Sequence, residues 1–539
     1  MLINLFTLFG SVVGQVLFGF LADRFGRTRL YGIELVLVIV STIGLATSSF
    51  GYGDMSFLGL FVWWRFVMGI GIGAEYPLSA VITSEWSSTQ SRAPMIAGVF
   101  MMQPVGQALA QIVGLLVLIG FNRSKGLQEM RCGLDNLYEE ECRKAVDGLW
   151  RIVIGLGAIP ALLAIIFRFF LYDCGLYSLE VKHKASVAII NTQRIYGAPS
   201  GSFVTTFPTM DSHAGMRLES SHGPSSIQFS REDLYNYFIR DGNWYYLLGT
   251  SATWFFLDVS FYSLSLDNGG ALSGVWATGP PTIIDSRLQC WNSSLPGGSS
   301  LLPIWQKTGL PNWQIYDTAP CSTIYDVLVT QTKQYILTVS LASIAGSIGF
   351  ILLANRLPRR QWLTISFLVL AVMFLITGGV FYGAHAQSWA PATVALVAVC
   401  HFMFNFGANT LTFIIPAEIF PTCYRSLCHG ISAAAGKMGS IVAVLIGYGI
   451  STSHIGSARQ GLMMFIFGPL AAVGAYFSWA YLPDVQRWVD DGQGKKYLET
   501  KTLEELGEGR VRAHHCGELV TVGEKFMYLR RRRGMPRHT

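Results

Sequence analysis

Charge is nearly absent from long stretches of this chain, and that absence decides its fold class. Asp, Glu, Lys and Arg make up only 13% of the 539 residues, about half of the ~25% usual in a soluble domain. The few charges fall between apolar runs, each close to the roughly 20 residues that a helix needs to cross a hydrocarbon core. Such runs occupy residues 4–22, 30–49, 57–80, 96–120, 149–171, 244–266, 335–354, 362–384, 391–415, 428–452 and 460–481. They predict an all-α membrane protein with eleven spans. The apolar opening is not a signal peptide, because no basic segment or cleavage-type stretch precedes it and it ends at Asp23-Arg24.

Basic residues orient the stack. Arg24, Arg27 and Arg29 follow the first span, Arg356, Arg359 and Arg360 follow the seventh, and Arg530 to Arg533 lie in the tail. The positive-inside rule places all of them on the cytoplasmic side. The net charge of +6 is therefore a topology signal and points to no nucleic-acid partner. The two N-x-S/T sequons, Asn122 and Asn292, fall in loops that this orientation puts outside, where glycosylation is possible. Cys132 and Cys142 share the first of these loops, and Cys290 and Cys321 share the second. One disulfide is expected in each, since the outer face is oxidising. No cysteine spacing suits a metal site.

Four regions follow: a first membrane bundle over 1–171, a polar cytoplasmic linker over 172–241 with short helices near Arg231–Asp241, a second bundle over 242–482 interrupted by an outer loop at 267–333, and a cytoplasmic tail over 483–539. The bundles repeat each other. Ala22-Asp23-Arg24-Phe25-Gly26-Arg27 recurs as Ala354-Asn355-Arg356-Leu357-Pro358-Arg359, 332 residues on. Glu85 with Arg92 seven residues later recurs as Glu418 with Arg425, 333 residues on. Two motifs at nearly one offset mark a duplicated helical bundle, whose site belongs at the midplane between the halves. The repeat calls for six spans in each half. The first half has five, and the sequence begins at what would be the second span.

Ionisable groups inside a bilayer cost roughly 2.5–3.5 kcal/mol each on insertion scales, so those present are informative. Trp254, Asp258 and Tyr262 recur at four-residue intervals and share one helix face. They read as a polar stripe facing the bundle interior, either for an oxyanion or as a structural Asp bonded to a neighbouring helix. Gly69, Gly71 and Gly73 suit close helix packing. Glu75 follows them inside the membrane, before Pro77, which loosens the backbone hydrogen bonding. Arg65, about 15 Å away along the helix, is a structural ion-pair partner or a ligand. Glu34 belongs to a proton path or faces water at the inner interface. Gln103 donates to an anion or bonds a neighbouring helix. Asn409 lies 333 residues after Tyr76, at its repeat position and hence at similar depth. Lys437 either snorkels or meets an anion. The donors suit an oxyanion, and the carboxylates would repel it unless protonated. Because burial favours a neutral carboxyl, uptake of a proton with the anion is a physical route to coupling.

At the level of motifs, Gly19-x3-Asp23-Arg24-x-Gly26-Arg27-x-Arg29 resembles the loop signature of the major facilitator superfamily. The stretches Gly69–Ser79, Met102-Gln103, Trp254–Tyr262, Asn405–Phe413, Phe420–Ser426 and Gly430–Lys437 resemble the phosphate:proton symporters of fungi and plants. The resemblance implies two pseudo-symmetric helix bundles, here with eleven of twelve spans, and a multi-pass carrier, expected in the plasma membrane, that imports inorganic phosphate with protons by alternating access. It implies phosphate contacts at Tyr76, Gln103, Trp254, Asp258, Tyr262, Asn409 and Lys437. Proton coupling is expected at Glu75, Asp258 and Glu34, with Glu75 standing where the family usually has Asp. Gating loops are expected at Asp23, Arg24, Gly26, Arg27, Glu85, Arg92, Glu418 and Arg425. No cofactor is implied. The family's first helix, which carries an acidic residue, is absent here, Tyr172-Asp173-Cys174-Gly175 replaces its Pro-Glu-Ser/Thr motif, and Asn355 stands where Asp is usual.

Two alternatives are carried. Fungal carriers of glycerophosphodiesters resemble the chain at Ala74-Glu75-Tyr76-Pro77, although their later helix differs from Asn405–Phe413. A non-transporting receptor or inactive truncated homologue would fit the missing helix and the long outer loop. An enzyme is least favoured, since no nucleophile–base pair, phosphate loop or metal cluster is evident.

Overall fold

A computed structural model of the protein describes residues 2–168, 229–264 and 322–490 apart from 50–55, 89–90, 131, 133–138, 241, 384–389, 452–456 and 485, together with 496–499 and a few isolated positions. Residues 172–228, most of the outer loop with Cys290, Cys321 and Asn292, and Arg530 to Arg533 lie outside the described residues.

The first half comprises α1 (Leu2–Phe25), α2 (Arg27–Leu30), α3 (Ile33–Ala46), α4 (Phe57–Trp86), α5 (Arg92–Lys125), α6 (Glu139–Leu156) and α7 (Ala158–Arg168). The second begins with a short α8 (Arg231–Tyr235), close to where short helices were expected, and α9 (Trp244–Ser263). It continues through α10 (Ile324–Tyr335), α11 (Leu341–Leu353), α12 (Arg359–Gly383), α13 (Ala390–Met403), α14 (Asn409–Ile419), α15 (Arg425–Ser451) and α16 (Ser457–Tyr481). Single π-turns, Ile336–Ser340 and Phe404–Ala408, join α10 to α11 and α13 to α14. The polar break expected at Asn405–Phe413 is thus a local widening of a continuous helix.

Ten helical segments among the described residues are long and apolar enough to cross a membrane. The eleventh expected span, α9, is also a 20-residue helix, but Trp, Tyr, Ser and Thr replace much of its aliphatic content. Its buried face, which includes Thr250, Thr253, Trp254, Leu257 and Asp258, turns to protein and not to lipid. One element departs from the all-α expectation: Arg487–Asp490 and Lys496–Glu499 pair as an antiparallel hairpin after the last span.

Small residues bring the helices together, as packing in lipid requires. α1 lies on α4, where Gly10 and Gly69 leave no room for a Cβ against the carbonyls of Phe66 and Thr7. α1 also reaches across to α15 in the other half, with Gly19 on the Ser426 carbonyl and Gly430 on that of Gln15. The sequence repeat has a geometric counterpart. Arg27 pairs with Glu85 at 3.2 Å, and Arg359 pairs with Glu418 at 3.2 Å. At the opposite end the expected Cys132–Cys142 disulfide is present. It packs with Leu118, Leu127 and Ala145 against Ile324 and the adjoining Tyr325, Leu328 and Val329 at the start of α10.

The close crossing of α1 and α15 yields a test. Gly430→Ala places a methyl group against a backbone oxygen that a side-chain rotation cannot move. A loss of stability of about 1–3 kcal/mol, typical of overpacking, is expected in unfolding of the purified protein, with a smaller loss for Gly449→Ala, where a Cβ meets nothing within 4 Å.

Candidate functional site

A small cavity lies between the halves, lined by Tyr76, Phe100, Gln103, Trp254, Asp258, Phe261, Tyr262, Asn409 and Lys437. Its depth follows from helix geometry. Tyr76 and Asn409 each precede by nine residues Glu85 and Glu418, which lie at the ends of α4 and α14. At 1.5 Å per residue that is about 14 Å, close to half of a ~30 Å hydrocarbon core.

Lys437 and Asp258 set the electrostatics. Both are buried, and Lys437 Nζ donates to Asp258 Oδ2 at 3.1 Å and to the Tyr262 hydroxyl at 3.2 Å. Ser440 Oγ donates to the same carboxylate oxygen at 3.0 Å. The ammonium also lies 5.2 Å and 4.9 Å from the ring centroids of Tyr76 and Tyr262, within cation–π range. Lys437 therefore does not snorkel: a carboxylate from α9 and two aromatic faces hold it at mid-depth.

Aromatic rings pack behind the cavity lining on the side of Glu85 and Glu418. Phe413 lies one turn beyond Asn409 toward Glu418 on α14, and packs on Tyr76, Phe100, Trp254 and His429 with centroids 5.2–6.4 Å apart. His429 Nε2 donates to the Phe413 carbonyl at 3.0 Å, fixing the ring between Phe413 and Trp254.

Glu75 and Glu34 form a separate centre. One residue is 100° of rotation on a helix, so Glu75 leaves α4 on a different face from Tyr76 and does not line the cavity. Arg168, the last residue of α7, donates to both oxygens of Glu75 at 2.8 and 3.0 Å and also bonds Glu34. Its guanidinium stacks 3.7 Å from the Tyr31 ring centroid, and the Gly32 amide donates to Glu34 at 2.7 Å. The three acids expected in proton coupling thus lie in two places, Asp258 on the cavity and Glu75 with Glu34 away from it, because helical phase separates Glu75 from Tyr76. Arg65 reaches neither, and its guanidinium carbon sits 5.7 Å from the Phe61 ring centroid.

The loop motifs meet at the end of the bundles opposite the Cys132–Cys142 loop. Asp23 accepts from the amides of Ser426 and Leu427, at 3.2 and 2.8 Å, at the start of α15. A carboxylate is well placed there, because the first amides of a helix have no partner within it. Arg27 bonds Asp23 at 3.1 Å and also the Thr422 carbonyl, while Arg425 lies 3.8 Å from Glu85. Gly26 supplies the left-handed turn between α1 and α2, with φ of 105°. Arg24 stands outside the cluster near Phe25, and Arg92 donates to the Ser84 carbonyl at 3.0 Å. Arg425 also donates to the Gly507 carbonyl of the tail at 2.9 Å. At the other end Asn122 closes α5, its Oδ1 accepting from the Gln128 amide at 2.8 Å.

Sequence reasoning missed Ser440, Phe100, Phe261, Phe413, His429 and Arg168. Ser440 had a signal, since it follows Lys437 by three residues and shares its helix face. Arg168 had only a weak one, as a cation closing an apolar run.

The chain matches the family described as Sugar (and other) transporter over residues 1–211 and 320–486. It is 31% identical over 441 residues to the repressible high-affinity phosphate permease of Neurospora crassa, covering 82% of this chain and 68% of that one. It is 31% identical over 525 residues to an inorganic phosphate transporter of Saccharomyces cerevisiae, covering 94% and 77%. Among solved structures it resembles a major facilitator superfamily proton:xylose symporter with a TM-score of 0.57, at 17% identity over 93% of this chain and 87% of that one. At that identity the likeness concerns the fold, which is the major facilitator fold.

The buried pair can be tested without knowing the solute. Lys437→Ala leaves the Asp258 carboxylate without its cation and is expected to lower stability by about 3–5 kcal/mol. The double variant Lys437→Met with Asp258→Leu should recover most of this, as read by thermal or denaturant unfolding in detergent.

Proposed function

We propose, for a chain that belongs to the Sugar (and other) transporter family and is built as a multi-pass membrane carrier, that its solute is inorganic phosphate imported together with protons. The observation that carries this reading is the Lys437 ammonium at mid-depth, in a small cavity also lined by the Asp258 carboxylate, the Tyr76 and Tyr262 phenols, the Trp254 indole N–H and the Gln103 and Asn409 amides. All of these but Asp258 can donate, as the oxygens of a phosphate demand. The names of the two fungal relatives point the same way.

Asp258 makes the proton part of the cycle. As a carboxylate it holds Lys437 and repels an anion. With a proton on Asp258, the ammonium is free to turn to phosphate, and both leave together when the gate side opens. Opening requires Asp23 to release the α15 amides, Arg27 to release the Thr422 carbonyl, and Glu85 and Arg425 to part. Each of these contacts joins the two halves. On this reading residues 1–171 and 242–482 are the moving bundles, 172–241 is the cytoplasmic linker and 483–539 the cytoplasmic tail. Asn122 faces the outside of the plasma membrane and carries a glycan. None of these steps makes or breaks a covalent bond in the solute, so the chain acts as a carrier and not as an enzyme. A glycerophosphodiester is the second reading, favoured by Ala74-Glu75-Tyr76-Pro77 on α4.

Labelled phosphate uptake into cells lacking their own phosphate carriers is the test. Uptake should rise as the outer medium is acidified. Lys437→Ala should lower kcat/KM at least about 10-fold, as the loss of a charged hydrogen bond worth about 1.5–3 kcal/mol implies. Stronger competition by glycerophosphodiester than by unlabelled phosphate would favour the second reading, and binding without uptake would mark a receptor.

A further inference from the structure

Arg168 draws together two acids from different helices. Glu34 comes from the first turn of α3 and Glu75 from the middle of α4, and Arg168 ends α7. Glu34 is buried and the Arg168 side chain is only 13% exposed. Both carboxylates bond the one guanidinium, and the Glu75 side chain is 35% exposed. Two carboxylates held on one guanidinium repel each other unless a proton or a further cation offsets the second charge. One guanidinium offsets one of the two. With both acids ionised the cluster carries one excess negative charge, and one added proton removes it. The charged and titratable groups facing this cluster are Tyr31, Glu34, Glu75 and Arg168.

We propose that Arg168 is a positioning residue that makes Glu34 and Glu75 a single shared site for one transported proton. The inference rests on the proton-coupled reading above and adds to Asp258 a second proton-binding centre, with the residue that sets how tightly its proton is held. When the proton arrives, an O–H bond forms on one carboxyl oxygen, which then bonds the other carboxylate. Arg168 stays charged and keeps the remaining carboxylate. When the proton leaves for water, Arg168 again spans both acids.

The test uses opposite charge changes at one site. Arg168→Gln removes the cation, so the acids hold their proton to a higher pH. Glu34→Gln removes one negative charge, so Glu75 keeps Arg168 to itself and takes a proton only at lower pH. The full-length protein in liposomes is assayed for pH-gradient-driven phosphate uptake over a range of outer pH, with phosphate exchange at equal pH measured alongside. The half-maximal outer pH should move up in Arg168→Gln and down in Glu34→Gln, by about one unit or more in each case, given the 1–3 units that a neighbouring opposite charge commands. Arg168→Lys should fall between wild type and Arg168→Gln. Shifts of the same sign, or no shift in either variant, overturn the inference, since a merely structural ion pair would lower uptake and exchange in parallel. If the wild type neither exchanges nor accumulates phosphate, the solute reading fails on its own. The pH dependence of the unfolding midpoint in detergent, compared across wild type, Glu34→Gln, Arg168→Lys and Arg168→Gln, then reads the same pair of opposite displacements. Where one variant does not fold, the remaining substitutions still fix the sign.

Discussion

The contact between Lys437 and Asp258 is what gives the centre of this molecule its character. A lone ammonium at mid-bilayer is costly, and a lone carboxylate equally so. Placed 3.1 Å apart, each makes the other tolerable. Several features of the fold serve that meeting. α9 carries aromatic and hydroxyl residues instead of aliphatics because its buried face looks onto α15. Gly436 and Gly439 on α15 leave room for the Trp254 indole and the Phe255 carbonyl, which lets the two helices approach until the side chains touch. A pair of this kind is poor as a source of stability. Its persistence in hydrocarbon fits a pair that must come apart in use.

The duplicated architecture explains why the end where the loop motifs meet is both strong and separable. Each half keeps its own Arg–Glu pair, Arg27 with Glu85 and Arg359 with Glu418. The contacts between halves mostly go to backbone, with Asp23 on the α15 amides and Arg27 on the Thr422 carbonyl. Bonds within a half survive when the halves move, while those between them must be exchanged for water. The difference between the copies at Asn355 fits this. Asp23 in the first half reaches the helix start of the other half, and its repeat position carries no charge to do the same. The Cys132–Cys142 loop and α10 meet at the far end, so the halves touch at both ends with the cavity between.

Local patterns in the sequence translated well into structure, and long-range partnerships did not. Eleven helices could be read because lipid demands long uncharged runs, and α9 was found despite its low hydropathy because aromatic residues still filled its length. The shared depth of Tyr76 and Asn409 followed from the repeat offset alone. Cys132 and Cys142 were paired because they share a short loop. What could not be read was which faces meet. Nothing in the sequence ties Arg168 to Glu75, 93 residues away on another helix. The same holds for Phe413 and His429, which enclose the cavity through aromatic contacts that only tertiary packing creates. The hairpin after the last span was missed because two four-residue strands leave almost no periodic signal.

Adjacent positions on α4 connect the two charged centres. Glu75 faces Arg168 and Glu34, and Tyr76 faces the cavity and Trp254. A helix segment is stiff over one residue, so a displacement of Glu75 toward or away from Arg168 turns Tyr76 with it. Pro77 follows at once. It has no N–H to bond the carbonyl of Gly73, so the helix is weakened in the turn that carries both residues. Gly73 itself sits against Ser11 of α1, with no room for a Cβ. The turn is therefore pinned to its own bundle on one side and short of a hydrogen bond on the other. A change at the Glu34–Glu75–Arg168 centre can reach the cavity through α4 in this way, although that centre and the cavity share no side chain.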